Sequence, residues 1–461
     1  MKRLAIIGGG AAGMFCAAML ENARGLRIDV LERSGAPLQK VLASGGGRCN
    51  FTNLKIDFEP PKNFYPRGAS KLRKPLRYFG AAQCAKWFRE AGVEWREEDG
   101  GRVFPKSGRS SCVASAILRA AKGARIFTKT AAVAVSRCGG EYEVLARSEG
   151  RETRLKADFV LVACGGIWTK ELKRSLEALG HSFAPPAPSL FAMRMAGADK
   201  PGWEKLAGIS AEDAALKIAA APAGAESARA RQFPRRGKME ADIESGKAET
   251  DTGDAGAEPA PTKRGQNPSN AQYRSRGALL FTHFGISGPA ALELSSRAAR
   301  LLQDSEYRAE ITADFLPSQT REQTAQSISK ARTNFARSKL KNANPFPIPA
   351  RLWEGLILPN AGIDSEKTWA NLSKSEGNSL AGQMRETKFE CVGRAPNKGE
   401  FVTCGGLNCD EADFSKMESK ICPNLFFAGE CLDIDAITGG FNLQAAWTTA
   451  KICADAIAAR I

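Results

Sequence analysis

The chain of 461 residues is too long for one small core, and two or three domains are expected. Its 43% hydrophobic and 25% charged residues are typical of a soluble globular protein. Lysine and arginine exceed aspartate and glutamate by 66 − 50 = 16. This surplus of positive charge favours an anionic partner, such as nucleic acid or an anionic cofactor. It is explained equally well if all proteins of the organism are basic, in which case it indicates no specific partner.

The cysteine and histidine content argues against a metal site. The 12 cysteines include no C-x-x-C pair, and the only histidines are His181 and His283. A structural zinc site is therefore not expected. Cysteines scattered in this way suit a reducing compartment, where they lie as small buried hydrophobes.

The amino terminus, M-K-R-L-A-I-I-G-G-G, begins as a signal peptide does, with basic residues followed by apolar ones. Its three glycines would break the apolar helix that such a peptide needs. Elsewhere there is no run of about 18 uncharged apolar residues, so no membrane span is expected. We therefore predict a cytoplasmic protein, and nothing in the sequence indicates an oligomeric state.

The first 32 residues predict a βαβ unit. Residues 3–7 (R-L-A-I-I) are typical of a short buried strand, and residues 14–20 of a helix. Residues 27–31 (R-I-D-V-L) then predict a second strand, which ends at Glu32.

The segment G-G-G-A-A-G, between the first strand and the helix, has the spacing of a dinucleotide-binding turn. Gly8 makes the tight turn, and Gly10 lets backbone N–H groups approach a pyrophosphate. Gly13 lets the helix pack closely on the strand, and Glu32 can accept hydrogen bonds from ribose hydroxyls. A dinucleotide cofactor is therefore expected.

Two more buried strands and a long helix follow the same pattern. Residues 158–166 (D-F-V-L-V-A-C-G-G) and 424–430 (N-L-F-F-A-G-E) each predict a strand that ends in a turn. Residues 443–458 place apolar side chains at spacings of three and four, which predicts a helix with one buried face. Both chain ends therefore belong to one doubly wound sheet, with other material inserted between them.

The middle of the chain has a different character. Short alternating stretches in residues 190–220 and 277–316 indicate an antiparallel sheet, and residues 318–387 are helical in pattern and polar. Residues 221–276 hold almost no large apolar side chain, so they predict a disordered insertion.

The segment A-S-G-G-G-R-C-N-F-T-N, residues 43–53, has the composition of a loop that comes close to a ligand or to another part of the chain. Three successive glycines lose much conformational entropy on folding. A flexible linker would not follow them with Arg48, Cys49 and Asn50, whose side chains can all take part in chemistry.

Seven segments together carry a resemblance to a known flavoprotein family. They are G-G-G-A-A-G (8–13), S-G-G-G-R-C-N-F-T-N (44–53), G-R-V-F-P (101–105), L-F-T-H-F-G-I-S-G-P (280–289), V-T-C-G-G-L (402–407), M-E-S-K (417–420) and F-A-G-E-C-L-D-I-D-A-I-T-G-G-F-N-L-Q (427–444). On these motifs the chain resembles the BaiN/RdsA-like (YhiN-type) FAD-dependent oxidoreductases over nearly its whole length.

The resemblance implies an α/β fold with a glutathione-reductase-type FAD-binding Rossmann domain, an inserted β-rich domain and a small helical domain. On this basis we place the FAD-binding domain at residues 1–189 and 389–461. The β-rich domain then covers 190–317, and the helical subdomain covers 318–388.

Three residues depart from the family pattern. Cys164 stands where threonine is expected, and Ala436 and Phe441 stand where glycine and tyrosine are usual. Ala436 matters most, because a lost glycine can tighten a loop beside the flavin. None of the three changes removes a charged or reactive group, so FAD binding is still expected.

The resemblance places the glycine-rich loop at the isoalloxazine ring of FAD. Residues 45–47 would allow the backbone to come close to one side of the ring. Arg48 would offer positive charge to reduced flavin, which is anionic at N1, and Asn50 would hold ring carbonyls or the loop itself. Cys49 is either a reactive group or a small buried filler.

The resemblance also assigns roles to two segments near the carboxyl terminus. Gly439 and Gly440 lead into the last helix, whose positive N-terminus should favour reduced flavin. Gly429 and Glu430 should lie near the ribityl and phosphate chain, and Asn442 either contacts the cofactor or caps the helix. The full set of predicted cofactor-binding residues is Gly8, Gly10, Ala11, Ala12, Gly13, Glu32, Arg33, Lys40, Ser44, Gly45, Gly46, Gly47, Arg48, Asn50, Val133, Ala163, Gly165, Gly429, Glu430, Gly439, Gly440, Phe441 and Asn442.

The motifs also restrict the reaction. There is no second G-x-G-x-x-G and hence no separate nicotinamide domain, so NAD(P)H is expected to reduce the flavin in a brief visit. The lack of a C-x-x-C pair argues against a disulfide reductase. Hydride transfer from flavin N5 to an activated C=C bond remains, with Cys49, Arg48 and His283 as predicted catalytic residues. Cys49 or His283 would supply the proton, although His283, like His181, also fits a structural role.

The family implies two substrate classes. One is uridine in large-subunit rRNA, reduced to dihydrouridine with hydride at C6 and a proton at C5. The other is a small enone, such as a bile-acid intermediate. The basic surplus favours RNA, and so does the stretch R-T-N-F-A-R-S-K-L-K-N at residues 332–342, although a solvated helix face explains that stretch as well.

Three functions therefore stay open. The first is an rRNA dihydrouridine synthase, and the second is a small-molecule ene-reductase or amine oxidase. The third is a flavin-binding protein without turnover of its own.

Overall fold

The computed structural model describes residues 1–166, 169–200, 202–219, 272–395 and 402–461. Its strands are β1 (Lys2–Ile7), β2 (Leu26–Leu31), β3 (Thr52–Asn53), β4 (Trp95–Glu98), β5 (Arg102–Pro105), β6 (Arg125–Phe127), β7 (Thr130–Cys138), β8 (Glu141–Ser148), β9 (Arg151–Ala157), β10 (Phe159–Val162), β11 (Phe183–Ser189), β12 (Met193–Met195), β13 (Ser210–Ala219), β14 (Gln272–Thr282), β15 (Gly285–Ser287), β16 (Arg308–Asp314), β17 (Thr387–Arg394), β18 (Val402–Leu407), β19 (Ala412–Asp413), β20 (Glu418–Ser419) and β21 (Leu425–Phe427). Its longer α-helices are α1 (Ala11–Met19), α2 (Gln39–Ala43), α3 (Ala69–Tyr78), α4 (Ala81–Glu90), α5 (Ser110–Ala120), α6 (Lys170–Ala178), α7 (Gly288–Arg297), α8 (Ala299–Asp304), α9 (Arg321–Asn334), α10 (Lys374–Glu386) and α11 (Phe441–Ala458).

Both ends of the chain build one mainly parallel sheet, in which the edge strands β19 and β20 pair antiparallel. Its strand order is β19-β20-β21-β10-β1-β2-β6, in which β21, β10, β1, β2 and β6 run parallel to their neighbours. Ile7 of the central strand pairs with Leu31 on one side and with Val162 on the other. Strands β21, β10, β1 and β2 are mostly apolar and buried because a parallel sheet is covered on both faces, while the edge strand β6 is largely exposed. The predicted Rossmann-type α/β fold is confirmed.

The local predictions in this sheet hold closely. The strands predicted at 3–7, 27–31, 158–166 and 424–430 are present as β1, β2, β10 and β21. The predicted last helix begins two residues early, at Phe441, directly after Gly440 with its φ of +93°.

The antiparallel sheet predicted for the middle of the chain is also present, and it closes on itself. Strands β12-β15-β14-β13-β16-β17 form a closed barrel with a hydrophobic core of its own. Phe281, Ile311 and Phe389 lie in that core. We predicted the boundary between the helical subdomain and the FAD-binding domain at residues 388 and 389. These residues lie inside β17, the last strand of the barrel. The domain limits stay predictions.

The prediction of disorder for residues 221–276 is wrong at its end. Residues 272–276 form the start of β14 and pair with β13, where Tyr273 faces Ile218. The Ser275 hydroxyl also donates a 2.7 Å hydrogen bond to the Ala290 carbonyl. Backbone pairing orders these residues, which composition alone does not show. Residues 220–271 lie outside the described part of the chain.

The segment predicted as helical and polar has a core that its composition hides. Helices α9 and α10 are present, together with a distorted helix over residues 350–360. Trp353 and Trp369 are buried, and their rings stack at 6.3 Å. The indole N–H of Trp353 donates to the Leu340 carbonyl, and that of Trp369 donates to the Ala343 carbonyl, each at 2.8 Å.

No helix in the described residues is long and apolar enough to cross a membrane. Those residues also contain no cluster of three histidine, cysteine or carboxylate side chains that could hold a metal ion.

Candidate functional site

The turn between β1 and α1 leaves open space where a cofactor phosphate would lie. A Cβ added to Gly8 would come within 2.4 Å of the Ala163 carbonyl oxygen. One added to Gly13 would come within 2.0 Å of the Gly8 carbonyl oxygen. A Cβ added to Gly10 would meet no atom within 4 Å. Two glycines are therefore required by the fold, and the third faces empty space at the N-terminus of a helix, which fits a pyrophosphate.

Glu32 is fixed at the end of β2. Its carboxylate accepts the Gly9 N–H at 2.8 Å and the Ser34 N–H at 2.7 Å. It borders a cavity of about 90 Å³, which runs between β1, β2 and β7. Among the residues that line the cavity are Gly8, Glu32, Arg33, Ala132, Cys164 and Leu172. This arrangement suits the ribose and base of a dinucleotide, and the buried Val133 lies next to Ala132 in β7.

Glu430 lies where the ends of β10 and β21 meet the start of α1. Its carboxylate accepts a 2.7 Å hydrogen bond from the half-exposed Lys40 and a 2.8 Å bond from the Thr403 N–H. The preceding residue, Gly429, has no room for a Cβ, which would lie 2.9 Å from that of Ala12. A Cβ on Gly165 would come within 3.4 Å of the Glu430 carboxylate. The structure therefore brings together five predicted residues, Ala12, Lys40, Gly165, Gly429 and Glu430, and the contribution of Thr403 was not predicted.

The glycine-rich loop is a tight turn that is open on one side. Gly45, Gly46 and Gly47 all adopt left-handed conformations, with φ of +57°, +66° and +85°. A Cβ on Gly46 or Gly47 would meet no atom within 4 Å. The Ser44 hydroxyl anchors the turn by donating to the Val41 carbonyl at 2.7 Å. The three glycines thus allow the left-handed backbone that this turn requires, and they leave the outer surface of the loop free of side chains.

Arg48 extends from this turn over an aromatic ring. Its guanidinium carbon lies 4.1 Å from the centre of the Phe104 ring, and it forms an ion pair with Glu98. Although partial desolvation opposes the effect, hydrogen bonds from Arg96 and Arg48 lower the pKa of Glu98. Glu98 was missed because its acidic stretch carries no motif. The Glu98 carboxylate holds the Arg48 side chain in place and partly neutralises its positive charge.

Cys49 does not reach the open side of the loop. The residue adopts a φ of +59°, and its side chain is fully buried in the core below. Burial raises the pKa of the thiol to about 11, against a hydrogen bond with Ser44 that lowers it. The thiol is therefore protonated at neutral pH. Its surroundings fit the filler interpretation better than that of a reactive group.

The turn before α11 packs directly onto the glycine-rich loop. Asn53 donates a 3.0 Å hydrogen bond to the carbonyl of Gly439, 386 residues away. A Cβ on Gly440 would lie 2.7 Å from the Thr52 carbonyl oxygen and 2.9 Å from Oδ1 of Asn50. The N-terminus of α11 is thereby held next to the loop. The resemblance implied that both segments border the flavin ring, and that position stays a prediction.

Asn442 and Phe441 stabilise this turn. The Asn442 side chain accepts the Ala436 N–H at 2.9 Å and donates to the Ala436 carbonyl at 3.0 Å. The amide therefore holds the loop before α11 and does not cap that helix. Phe441 stacks on Phe64 at 4.3 Å, and its carbonyl accepts a 2.9 Å hydrogen bond from the Tyr65 hydroxyl.

His283 lies on the barrel. It is exposed at the tip of the β14–β15 hairpin, and its ring packs edge-on against Phe284 at 4.9 Å. The Phe284 carbonyl accepts a 3.1 Å hydrogen bond from the Met195 N–H, which ties the hairpin to β12. His181 is buried between Glu411 and Ser419, in agreement with a structural role.

A buried ion pair beside the site was missed by the sequence analysis. Arg67 binds both carboxylate oxygens of Asp435, which is fully buried. The Ser189 hydroxyl donates to Asp435 at 2.8 Å, and Arg67 also donates to the carbonyl of Ser296 in α7 at 2.8 Å. The sequence shows an acidic residue, Asp435, three residues before the T-G-G turn. It does not show its partner, because Arg67 lies 368 residues away.

The HI0933-like protein Rossmann domain family matches residues 2–456. The chain belongs to this family. Its membership of this family, together with the Gly8–Gly13 turn described above, makes it an FAD-dependent oxidoreductase, as predicted.

Three curated relatives match the chain over nearly its whole length. A ribosomal RNA dihydrouridine synthase of Haemophilus influenzae is 26% identical over 97% of this chain and 96% of its own. The ribosomal RNA dihydrouridine synthase of Escherichia coli is 26% identical over 99% and 98%. A 3-dehydro-bile acid delta(4,6)-reductase of Clostridium scindens is 25% identical over the full length of both chains.

Proposed function

We propose that this protein reduces uridine to dihydrouridine in large-subunit ribosomal RNA, with NAD(P)H as the electron donor. The observation that carries the proposal is the end-to-end match to two relatives that bear this activity in their names. The bile-acid reductase matches almost as well, and its name also denotes reduction of carbon–carbon double bonds. The formal charge of +16 favours the polyanionic substrate over the small one.

The chain's own residues have distinct roles in this proposal. FAD, when bound, supplies the hydride. The Gly10 turn and Lys40 hold its phosphates, and the open face of Gly46 and Gly47 leaves room for the ring. The N-terminus of α11 contributes a partial positive charge next to the loop, which favours negative charge on the ring. His283, exposed on the barrel, is the remaining candidate for the proton donor.

The test is nucleoside mass spectrometry of large-subunit rRNA from cells with and without this protein. Dihydrouridine should disappear on deletion and return with the wild-type chain. A parallel assay offers the purified holoenzyme a 3-oxo-steroid with double bonds at positions 4 and 6. Dihydrouridine that is unchanged by deletion, together with steroid turnover, would replace the RNA proposal with the small-molecule one.

Cys49→Ala should restore dihydrouridine to within about two-fold of the wild type, because a buried protonated thiol contributes packing and not chemistry. Cys49→Ser should bind FAD but unfold more easily, since a hydroxyl is more costly to bury than a thiol even where Ser44 offers it a hydrogen bond. Thermal unfolding and rRNA nucleoside analysis of both variants check this. Loss of dihydrouridine in Cys49→Ala at unchanged flavin content would return Cys49 to the mechanism.

A further inference from the structure

Helix α3 and its flanking residues form an uninterrupted basic segment. Residues 60–89 contain no aspartate or glutamate. Their eight basic residues are Lys62, Arg67, Lys71, Arg73, Lys74, Arg77, Lys86 and Arg89. In a chain with 66 basic and 50 acidic residues, a stretch of this length without a carboxylate concentrates positive charge.

The geometry of α3 presents part of this charge to solvent. Leu72, Pro75 and Leu76 are buried, so the helix packs by one face. Arg73, Lys74 and Arg77 are exposed, and the spacing of three and four residues puts them on the opposite face. Within the described residues none of these three forms an ion pair.

Three basic residues with which these cations can be compared are neutralised by carboxylates. Lys71 of the same helix pairs with Asp410 at 2.5 Å. In the stretch that sequence alone suggested for RNA, Lys339 and Lys341 both bind Glu366. That carboxylate removes much of their attraction for phosphate, so α3 is the better candidate for an anion-binding surface.

Two exposed aromatic rings flank the basic helix. Phe58 is 86% exposed and Tyr78 is 57% exposed, both unusually high values for such side chains. The residue before Phe58, Asp57, accepts the N–H of Ala81 at 2.9 Å, which brings Phe58 close to the end of α3 that carries Tyr78. Exposed aromatic rings beside unpaired cations are the elements that stack unpaired bases and bind their phosphates.

This surface is continuous with the candidate cofactor site. Asn53, which binds the Gly439 carbonyl, begins the turn that ends at Phe58. Phe64 and Tyr65, which contact Phe441, directly precede α3, and α3 packs against α11. The N-terminal end of α3 therefore lies beside the turn that precedes α11, and RNA held along the outer face of α3 would reach the site past that end.

We propose that the α3 face, defined as Phe58, Lys62, Arg73, Lys74, Arg77 and Tyr78, binds single-stranded RNA and delivers it to the active site. This inference rests on the proposed function. The basic residues bind phosphates and the two rings stack on unpaired bases. The surface contributes affinity and position, and the target base is selected elsewhere.

The test compares two triple variants of the FAD-loaded protein. Arg73→Ala/Lys74→Ala/Arg77→Ala removes the α3 cations. The matched control, Arg321→Ala/Lys339→Ala/Lys341→Ala, removes the same charge from residues that carboxylates already neutralise. Binding to an unmodified transcript of large-subunit rRNA is measured over a series of salt concentrations. Flavin absorbance and thermal unfolding establish that both variants are folded.

The α3 variant should bind the rRNA transcript at least about 10-fold more weakly than the wild type. The slope of log K against log salt concentration should decrease in magnitude by about 2. The control should change by less than about two-fold. Phe58→Ala should weaken binding without altering the salt dependence. If the wild type makes dihydrouridine but the α3 variant binds like the control, the inference is overturned and the proposed function stands. If the wild type neither binds the transcript nor makes dihydrouridine, both are overturned.

Discussion

Gly10→Val should give a folded protein that binds FAD up to about 100-fold more weakly. A Cβ at this position meets no protein atom within 4 Å, and the backbone at φ −79° and ψ −165° accepts any residue. The side chain would instead occupy the space where the pyrophosphate approaches the N-terminus of α1. Overpacking of this kind costs about 1–3 kcal/mol, so affinity for FAD should fall by up to about 100-fold.

The measurement is flavin content and FAD affinity of the purified variant, together with thermal unfolding of the cofactor-free chain. Gly123→Val is the matched control, because its Cβ also meets open space and it lies in the loop before β6. Gly13→Val should behave differently and lose folded protein, since its Cβ would overlap the Gly8 carbonyl oxygen. A Gly10→Val protein that retains full flavin would remove this turn from the cofactor site.

The parts of the site that the sequence predicts are those in which the deciding residues lie close together. The Gly8–Gly13 turn and Glu32 belong to one βαβ unit, and periodicity fixes its strands and helix. The last helix was predicted for the same reason, since its apolar spacing and the glycines before it are local signals.

The parts that the sequence does not predict depend on distant partners. Nothing near Arg67 indicates Asp435, and nothing near Lys339 indicates that Glu366 neutralises it. The direction of Cys49 was equally hidden, because a left-handed backbone turns its side chain into the core. Motifs therefore predicted which segments form the site, and long-range packing decided which side chains face it.

The Arg67–Asp435 ion pair carries the second large expected effect. Asp435→Ala should lower the free energy of unfolding by about 3–5 kcal/mol, because it leaves a buried guanidinium without its partner. Urea unfolding of the holoenzyme measures this. The exposed pair Arg321–Glu386 is the control, and Glu386→Ala should cost less than about 1 kcal/mol.

A double-mutant cycle separates the pair from its surroundings. Arg67→Met/Asp435→Leu should be more stable than either single truncation, since apolar groups of similar volume leave no charge unpaired. Arg67→Lys keeps the charge but cannot bind both carboxylate oxygens, so it should recover only part of the stability. Additive losses in the cycle would contradict the coupling.

The same pair should also affect the flavin, because of where its partners lie. Asp435 precedes the Ala436–Gly440 loop, while Ser189 and Ser296 belong to segments next to the barrel. Arg67 and Asp435 therefore connect the turn beside the cofactor with the inserted barrel. The apolar double variant should bind FAD but show a shifted flavin absorbance spectrum and a higher KM for rRNA, with a smaller change in kcat. A double variant that has lost no stability and whose spectrum and KM both match the wild type would show that the pair only fills space.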